Sequence, residues 1–325
     1  MQLTVVEAIG LVVRALTRHG MSERYARLVA DHLVDAALCG HEFSSLPRVP
    51  AIVEELRRKP PAGEIRVVRE SPTSALIDGG DNVAYVVSIA AIDKAVEICK
   101  KSGVAIVGVN NTWFSGRLSY YVERAARQGY VAMHTTNTTA RVAPFGGIDR
   151  VLGTNPFAIA FPSEDDPLVI DIGTATTWGH VLLAKAKGEP LHPGVAVDPG
   201  GQPTVDPDAA VAGAFLPWGG NRGSGLSVAV QLLGILAGSA VVVEDVRNWG
   251  LFFLVFDPGL LMPGDEFKSR VSELRKVINA TRPAPGTVTV RAPGDGSMQH
   301  RKHAIPAGVI QVDDRIVSRI LELSA

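Results

Sequence analysis

"SALIDGGDNVAYVVSIAAIDKAVEICKKSGVAIVGV" occupies residues 74–109. "SALIDGG" reads as a short strand closed by glycines. "YVVSIAAIDKAVEICKKSG" reads as a helix, and "VAIVGV" as the strand that it feeds. Strand, helix and strand in succession make an α/β pattern. No G-x-G-x-x-G follows a strand here or elsewhere in the chain, and no G-x-x-x-x-G-K-[ST] occurs. A dinucleotide-binding domain of the Rossmann type is therefore not supported.

The same alternation extends downstream. A helix near 118–128 is followed by the strand "YVAMHTT" (130–136), and "FAIAFPSEDDPLVIDIG" (157–173) reads as strand, turn, strand. A helix after Thr174 runs to Lys187, a Pro/Gly/Asp-rich loop covers 188–210, and an apolar helix covers 223–238. "FFLVF" (252–256) is a buried strand, and 264–280 is an amphipathic helix. Both ends are helical. Apolar residues recur at helical spacing in "VVEAIGLVVRAL" (5–16), Ser22 is placed as an N-cap, and the Val29, Leu33, Ala36, Ala37 stripe stops at Gly40. A third helix is expected from Ser44 or Ser45 to about Arg58, with Pro47 in its first turn, and a last one within 309–325. The expectation is an α/β protein with a cofactor domain over 81–290 and a helical part built from both termini, 1–80 and 291–325.

Bulk properties narrow the function. The 325 residues are 46% hydrophobic and 20% charged, which suits a large folded core. A net charge of −1, from 32 basic and 33 acidic residues, argues against a nucleic-acid partner. Cys39 and Cys99 lie far apart and have no ligand spacing, so no metal site is expected. No apolar run reaches the roughly 18 residues of a membrane span, and the N-terminus has no signal-peptide pattern. A cytoplasmic location is the expectation.

Several polar turns are candidate sites. "GGNRGSGLS" (219–227) runs into a helix, where free N–H groups and Arg222 favour an anion, although an ordinary cap reads equally well. "TTNTT" (135–139) and "LGTNP" (152–156) adjoin strands, and Asp171 falls at a strand end before a helix. In "GHEFSSLPRVP" (40–50), Ser44 and Arg48 are four apart and would share one helix face, a hydroxyl and a guanidinium able to hold a carboxylate. Spacing alone favours the simpler alternative, an N-cap serine beside a surface arginine.

Together these segments resemble the malate/L-lactate dehydrogenase family, the type distinct from Rossmann lactate dehydrogenases. That family includes sulfolactate, ureidoglycolate and diketogulonate oxidoreductases and cyclic-imine carboxylate reductases. "GHEFSSLPRVP" is similar to its G-H-D-S-H-G-x-x-R-x-P. "TTNTTARVAPFGGIDRVLGTNPFAIAFP" is similar to its T-N-[TS]…V-x-P-x-G-G…L-G-T-N-P, and "GGNRGSGL" to G-G-H-K-G-x-G-L. "DIGTATT" and "GEPLHPGVAVDPGGQPTVDP" match as well, so the resemblance covers nearly the whole chain. It implies a non-Rossmann cofactor domain with a mixed, largely antiparallel sheet. It implies a homodimer, and hydride transfer from NADH or NADPH to the carbon next to a carboxylate.

The resemblance also implies site residues. Arg48 would grip the carboxylate, with Thr154 and Trp178 beside the substrate. The cofactor would lie along Trp113, Phe114, Ser115, Gly116, Arg117, Thr136, Asn137, Thr138, Asp171, Ile172, Gly173, Asn221, Arg222 and Gly223. Gly294 and Arg301 would touch its adenosine phosphate, although a solvated basic face accounts for "HRKH" as well. The departures bear on the chemistry. Ser44 stands at the family's catalytic histidine and Phe43 where serine is frequent, while Ser45 replaces glycine. Asn221 and Arg222 replace H-K. Where small-molecule reductases of the family carry R-G-D, Gly179 and His180 fall. The expectation is that His180 supplies or relays the proton, with Ser44 bridging to the substrate, since a serine pKa lies far from neutral and histidine's does not. His41 is read as structural. A protonated imine needs less acid help than a ketone, so a cyclic 2-imino acid is favoured over a 2-oxo acid. The alternatives are a 2-hydroxy-acid dehydrogenase using His180, and a member that binds nucleotide without turnover.

Overall fold

The computed structural model describes residues 1–60, 63–176 and 178–325. Helices open and close the chain. Strand β1 (Gln2–Thr4) leads into α1 (Val5–Arg18), where Thr4 and Glu7 form a reciprocal capping box. Helix α2 (Glu23–Leu38) is capped by Ser22, as its sequence predicts. Gly40, at φ 80°, ends it in the left-handed conformation that glycine adopts without steric cost. Helix α3 (Arg48–Arg58) starts later than expected. Residues 44–47 form a turn, Pro47 is the cap, and Arg48 is the first helical residue. Ser44 and Arg48 therefore do not share a helix face.

The middle of the chain builds the sheet. Strands β2 (Arg66–Ser71) and β3 (Ser74–Val83) precede α4 (Ala84–Ser102), which crosses to β4 (Val104–Trp113). After α5 (Ser119–Ala126) come β5 (Val131–Thr136), β6 (Phe157–Phe161) and β7 (Leu168–Ile172). Helix α6 (Trp178–Lys187) is followed by β8 (Ala196–Val197), α7 (Pro207–Ala212) and β9 (Ala214–Phe215), the last three falling in or just beyond the expected loop. Helix α8 (Asn221–Leu236) leads towards β10 (Leu251–Phe256) and then α9 (Gly264–Asn279). The end holds α10 (Asp295–Ala307), β11 (Val309–Gln311) and α11 (Asp314–Ser324). Neither α10 nor the β1–β11 pair was expected. Charged "QHRKH" masks the helical pattern of α10, and a three-residue strand carries no periodicity.

Seven strands pair in the order β2-β3-β4-β10-β5-β6-β7. Only β3 and β4, joined through α4, run parallel; every other neighbour in this sheet is antiparallel. This is the mixed, largely antiparallel sheet that the resemblance implied, and it differs from a doubly wound Rossmann sheet. The sheet starts at Arg66, so residues 66–80 belong with it rather than with the helical part. Helices α4 and α5 cover one face, where Val107, Leu251, Phe253 and Val255 are fully buried. Helix α8 packs on β5 and β10, and Ile106 stays 44% exposed.

The helical layer has its own core. Ala8, Leu16, Leu33 and Ile52 pack with Ile310, Val317 and Ile320, and β1 pairs with β11, so both termini form one unit. Arg247 ties this layer to the sheet. Its guanidinium pairs with the Asp81 carboxylate at 2.8 Å and donates to the carbonyls of Glu55 (2.7 Å) and Lys59 (2.8 Å). It also lies over Trp113, 4.4 Å from the ring centroid. Among the described residues no helix is long and apolar enough to cross a membrane.

Two outcomes follow from this packing. Arg247→Met leaves the Asp81 carboxylate buried with Lys59 as its one ion-pair partner among the described residues, and is expected to cost about 3 kcal/mol in urea unfolding. An unchanged midpoint would contradict the role given to Arg247. The second outcome concerns two histidines held neutral. Burial pushes fully buried His32 well below its ordinary 6.5, and His134, stacked on Phe253, down to about 3. The unfolded chain takes up protons that the folded one refuses, so stability is full above 6.5 and falls as pH drops below it. Each histidine removes about 1.4 kcal/mol per pH unit there. Urea midpoints measured from about pH 7 to about pH 5 should fall steadily, and a flat profile would contradict the assignment.

Candidate active site

A cavity of about 970 Å³ opens between the two layers. That size suits a ligand pocket at the upper end of the usual range. Its walls come from the turn before α3, the loop after β4, the ends of β5 and β7, and the start of α6. Most residues singled out from the sequence meet here: Ser44, Arg48, Phe114, Ser115, Gly116, Arg117, Thr138, Thr154, Asp171, Gly173, Trp178 and His180 all line it.

Arg48 stands at the first position of α3 with its guanidinium on two aromatic faces, 4.3 Å from the Phe114 centroid and 5.2 Å from that of Phe43. No acidic side chain pairs with it among the described residues. An arginine stacked on aromatics but without a carboxylate partner keeps its N–H fork available to an anion. Arg141 is a second such group. It lies 3.8 Å from the Trp178 ring centroid, with no ion pair among the described residues. Burial, with Arg150 nearby, pulls its pKa below the ordinary 12.5. Nothing in its spacing marks Arg141 out within the "TTNTTARVAP" block.

The loop after β4 is held from below. Phe114 adopts φ 48° and Gly116 φ 67°. A Cβ on Gly116 would overlap both the Tyr85 ring and Nε2 of His32. That His32 nitrogen accepts the Arg117 N–H at 3.0 Å, so the ring's proton sits on Nδ1. The Arg117 side chain is buried and paired with Asp35. The threonines are fixed from the other side. Thr138 Oγ1 accepts the Thr154 N–H at 3.0 Å, while Asn155 Oδ1 accepts the Thr138 N–H at 3.1 Å. Asn155 in turn donates to Gln231 Oε1 at 2.9 Å, which is how "LGTNP" anchors the wall to α8. Asp171 accepts from the Ser119 N–H (2.8 Å) and hydroxyl (2.7 Å), so it holds α5 as well as facing the cavity.

Helix α6 closes the site. A Cβ on Gly179 would overlap the Phe43 ring, so this glycine lets α6 settle against the turn that carries Ser44. His180, next along, is exposed and reaches the cavity wall. Thr177, the last residue of "DIGTATT", lies outside the described residues. His41 also lines the wall, where its Nε2 lies 3.2 Å from the Ser297 hydroxyl, and burial and Arg117 lower its pKa from 6.5.

Other expected contacts are placed elsewhere. Trp113 is fully buried in the helical core and outside the cavity lining, donating from Nε1 to the Asp81 carbonyl at 2.9 Å. Thr136 and Asn137 are also fully buried, and Asn137 clamps Gly250 (2.7 Å) and Ser239 (2.6 Å). Ile172, Asn221, Arg222 and Gly223 fall outside the cavity lining, with Ile172, Asn221 and Arg222 exposed. Gly294 (φ 84°) packs on the Val169 carbonyl, and Arg301 is held by Glu123 (2.6 Å) and Asp35 (3.0 Å). Arg301 is thus tied internally to two carboxylates and not part of a solvated basic face. Tyr85 and Trp249 line the cavity without having been expected to.

Residues 3–321 match the family model described as malate/L-lactate dehydrogenase. The L-sulfolactate dehydrogenase of Methanocaldococcus jannaschii is 33% identical over 324 residues, covering 96% of this chain and 93% of its own. The ureidoglycolate dehydrogenase (NAD(+)) of Escherichia coli K12 is 32% identical, covering 94% of this chain and 90% of its own. Among solved structures, delta1-piperideine-2-carboxylate reductase of Pseudomonas syringae pvar. tomato superposes with a TM-score of 0.89 at 29% identity, over 99% of each chain. The chain belongs to the malate/L-lactate dehydrogenase family and is an NAD(P)-dependent oxidoreductase.

The packing of Gly179 on Phe43 is directly testable. Gly179→Ala should force the ring or the helix aside and lower kcat/KM about tenfold or more, with a small change in melting temperature. Wild-type kinetics in that variant would show that α6 does not position the cavity wall.

Proposed function

We propose that this member of the malate/L-lactate dehydrogenase family reduces a small 2-imino acid, a cyclic ketimine, with NADH or NADPH. The bound nucleotide supplies the hydride. The observation that carries the reading is the Arg48 guanidinium, seated on Phe43 and Phe114 in the cavity wall with no acidic partner among the described residues. A substrate carboxylate docked there leaves its α-carbon among aromatic and hydroxyl-bearing walls. The cavity also fits the cofactor. Phe114, Trp178 and Trp249 offer flat apolar surface to a nicotinamide, and Thr138 and Thr154 offer hydroxyls.

The imine preference rests on position 44. Serine holds no proton donor matched to neutral pH, and a protonated C=N arrives with its charge already in place. Arg48 binds and orients the carboxylate, while Phe43, Trp178 and Leu182 keep water from the reacting carbon. Reduction of a 2-oxo acid is the second reading, and His180 in the cavity wall favours it. There the histidine would pass a proton to the oxygen that becomes the hydroxyl. The homodimer belongs to the same proposal: α8 carries Val228 (43% exposed), Leu232 (59%) and Leu236 (72%) on one outward stripe, apolar surface that a second copy would cover.

Loss of reduced-nicotinamide absorbance, followed with delta1-piperideine-2-carboxylate and with open-chain 2-oxo acids, tests the proposal. Consumption at least about tenfold faster with the imine is expected, surviving His180→Ala within a few-fold. Faster turnover of 2-oxo acids that His180→Ala abolishes would select the second reading. Nucleotide binding without turnover of either class would contradict both.

A further inference from the structure

The cavity wall holds a cation that neither reading uses. The Arg141 backbone is fixed on both sides: its N–H donates to the Leu152 carbonyl at 2.8 Å, and its carbonyl accepts the Phe215 N–H at 2.9 Å. The side chain lines the cavity, with its guanidinium 3.8 Å from the Trp178 ring centroid. That guanidinium takes no hydrogen bond or ion pair among the described residues. Its nitrogens are not among the polar atoms sealed from solvent, so the fork opens on the cavity. This is a costly place for a bare charge. The residue is half-buried, and Arg150 adds a like charge nearby. None of the acids in the lining, Glu42, Glu54 and Asp171, pairs with it: Asp171 is engaged by Ser119, and Glu42 lies near Lys187.

A guanidinium has donors only, so the partner it lacks is an anion. Arg48 lies over Phe43, Phe43 packs against Gly179, Trp178 precedes Gly179 in the first turn of α6, and Arg141 lies over Trp178. The two open guanidiniums therefore stand along one continuous aromatic wall of one cavity. Nucleotide phosphate is the other source of an anion. Trp178 belongs with Phe43 and Leu182 to the wall that shields the reacting carbon in the proposed reduction, which puts Arg141 on the substrate's side.

We propose that Arg141 is a second anion anchor and that the substrate is a diacid: Arg48 holds the carboxylate next to the reacting carbon, and Arg141 holds an acid group at the far end. The inference rests on the proposed reduction with Arg48 as the carboxylate anchor. It makes Arg141 a specificity-determining residue. Its charge rewards a second acid group, and a substrate without one leaves the guanidinium unpaired.

The test uses the full chain, with NADPH and NADH each tried, and compares wild type, Arg141→Met and Arg141→Lys. The imine pair is delta1-piperideine-2-carboxylate and delta1-piperideine-2,6-dicarboxylate. The oxo series sets 2-oxobutyrate against oxaloacetate, 2-oxoglutarate and 2-oxoadipate, whose lengthening reads the spacing between the two anchors. A hydrogen bond to a charged group implies that wild type prefers the best diacid over its mono-acid partner by about tenfold or more in kcat/KM. Arg141→Met should bring that ratio down to about one, and Arg141→Lys, which keeps the charge, should retain part of it. Nucleotide affinity, read by fluorescence titration, should not move in either variant. A wild-type ratio near one in whichever class is reduced would overturn the proposal and leave the reduction itself standing. A ratio that survives Arg141→Met would do the same. Weakened nucleotide binding at a constant ratio would assign Arg141 to a nucleotide phosphate and overturn the proposal too. The wild-type ratio and the lysine variant decide the matter even if Arg141→Met fails to fold. If no acid of either class is turned over, the proposed function fails and the inference with it.

Discussion

One buried guanidinium decides how the two layers meet. Arg247 comes from the segment entering β10, yet its partners lie on α3, at the end of β3 and at the end of β4. A charge with 3% of its side chain exposed persists only where its fork is filled, and here the carboxylates of Asp81 and Glu55, three carbonyls and an indole face surround it. Two of those groups, the Glu55 carbonyl and the Trp113 indole, belong to elements next to the cavity. Helix α3 begins with Arg48, and β4 runs into the loop 114–117. Trp249, two residues beyond Arg247, stands in the wall itself. Fixing Arg247 therefore fixes the spacing between Arg48, the proposed carboxylate anchor, and Trp249 in the cavity wall.

The cavity is cationic and aromatic at once. Arg48 and Arg141 are each stacked on a ring instead of being neutralised by an acid, whereas Arg117 and Arg301, close behind, are consumed by Asp35 and Glu123. The division has a simple electrostatic sense. Paired arginines brace loops, and those held by aromatic faces remain competent to bind anions in a partly dry site. The departure at position 44 fits this arrangement. Cationic and aromatic groups are abundant in the cavity wall, proton donors matched to neutral pH are few, and the proposed substrate, which brings its own proton, suits such a site.

Much of the fold was legible because its elements are long and periodic. The strand–helix–strand run at 74–109, the Ser22 cap and the Gly40 stop all follow local rules, and none depends on distant contacts. What escaped lacked such a signal. The β1–β11 pair joins the two ends of the chain through three residues each. The start of α3 slipped because Pro47 tolerates both a cap and a first turn. The site was legible where motifs carry small residues at strand ends, as with Thr138, Thr154 and Gly173. Trp113, Thr136, Asn137 and Arg301 are buried or ion-paired beside the cavity, and motif membership does not distinguish a wall residue from the residue bracing it. Tyr85 gave no sign at all, being one ring inside an apolar helical run.

The central claim is that Arg48 anchors a carboxylate beside the nicotinamide. The most direct measurement is a crystal structure of the protein with NADPH and oxalate. The account predicts oxalate oxygens within hydrogen-bonding distance of the Arg48 guanidinium, with the nicotinamide ring against Phe114 or Trp249. Oxalate held on Arg141 or at the start of α8, with Arg48 still lying bare on its two aromatic rings, would contradict it.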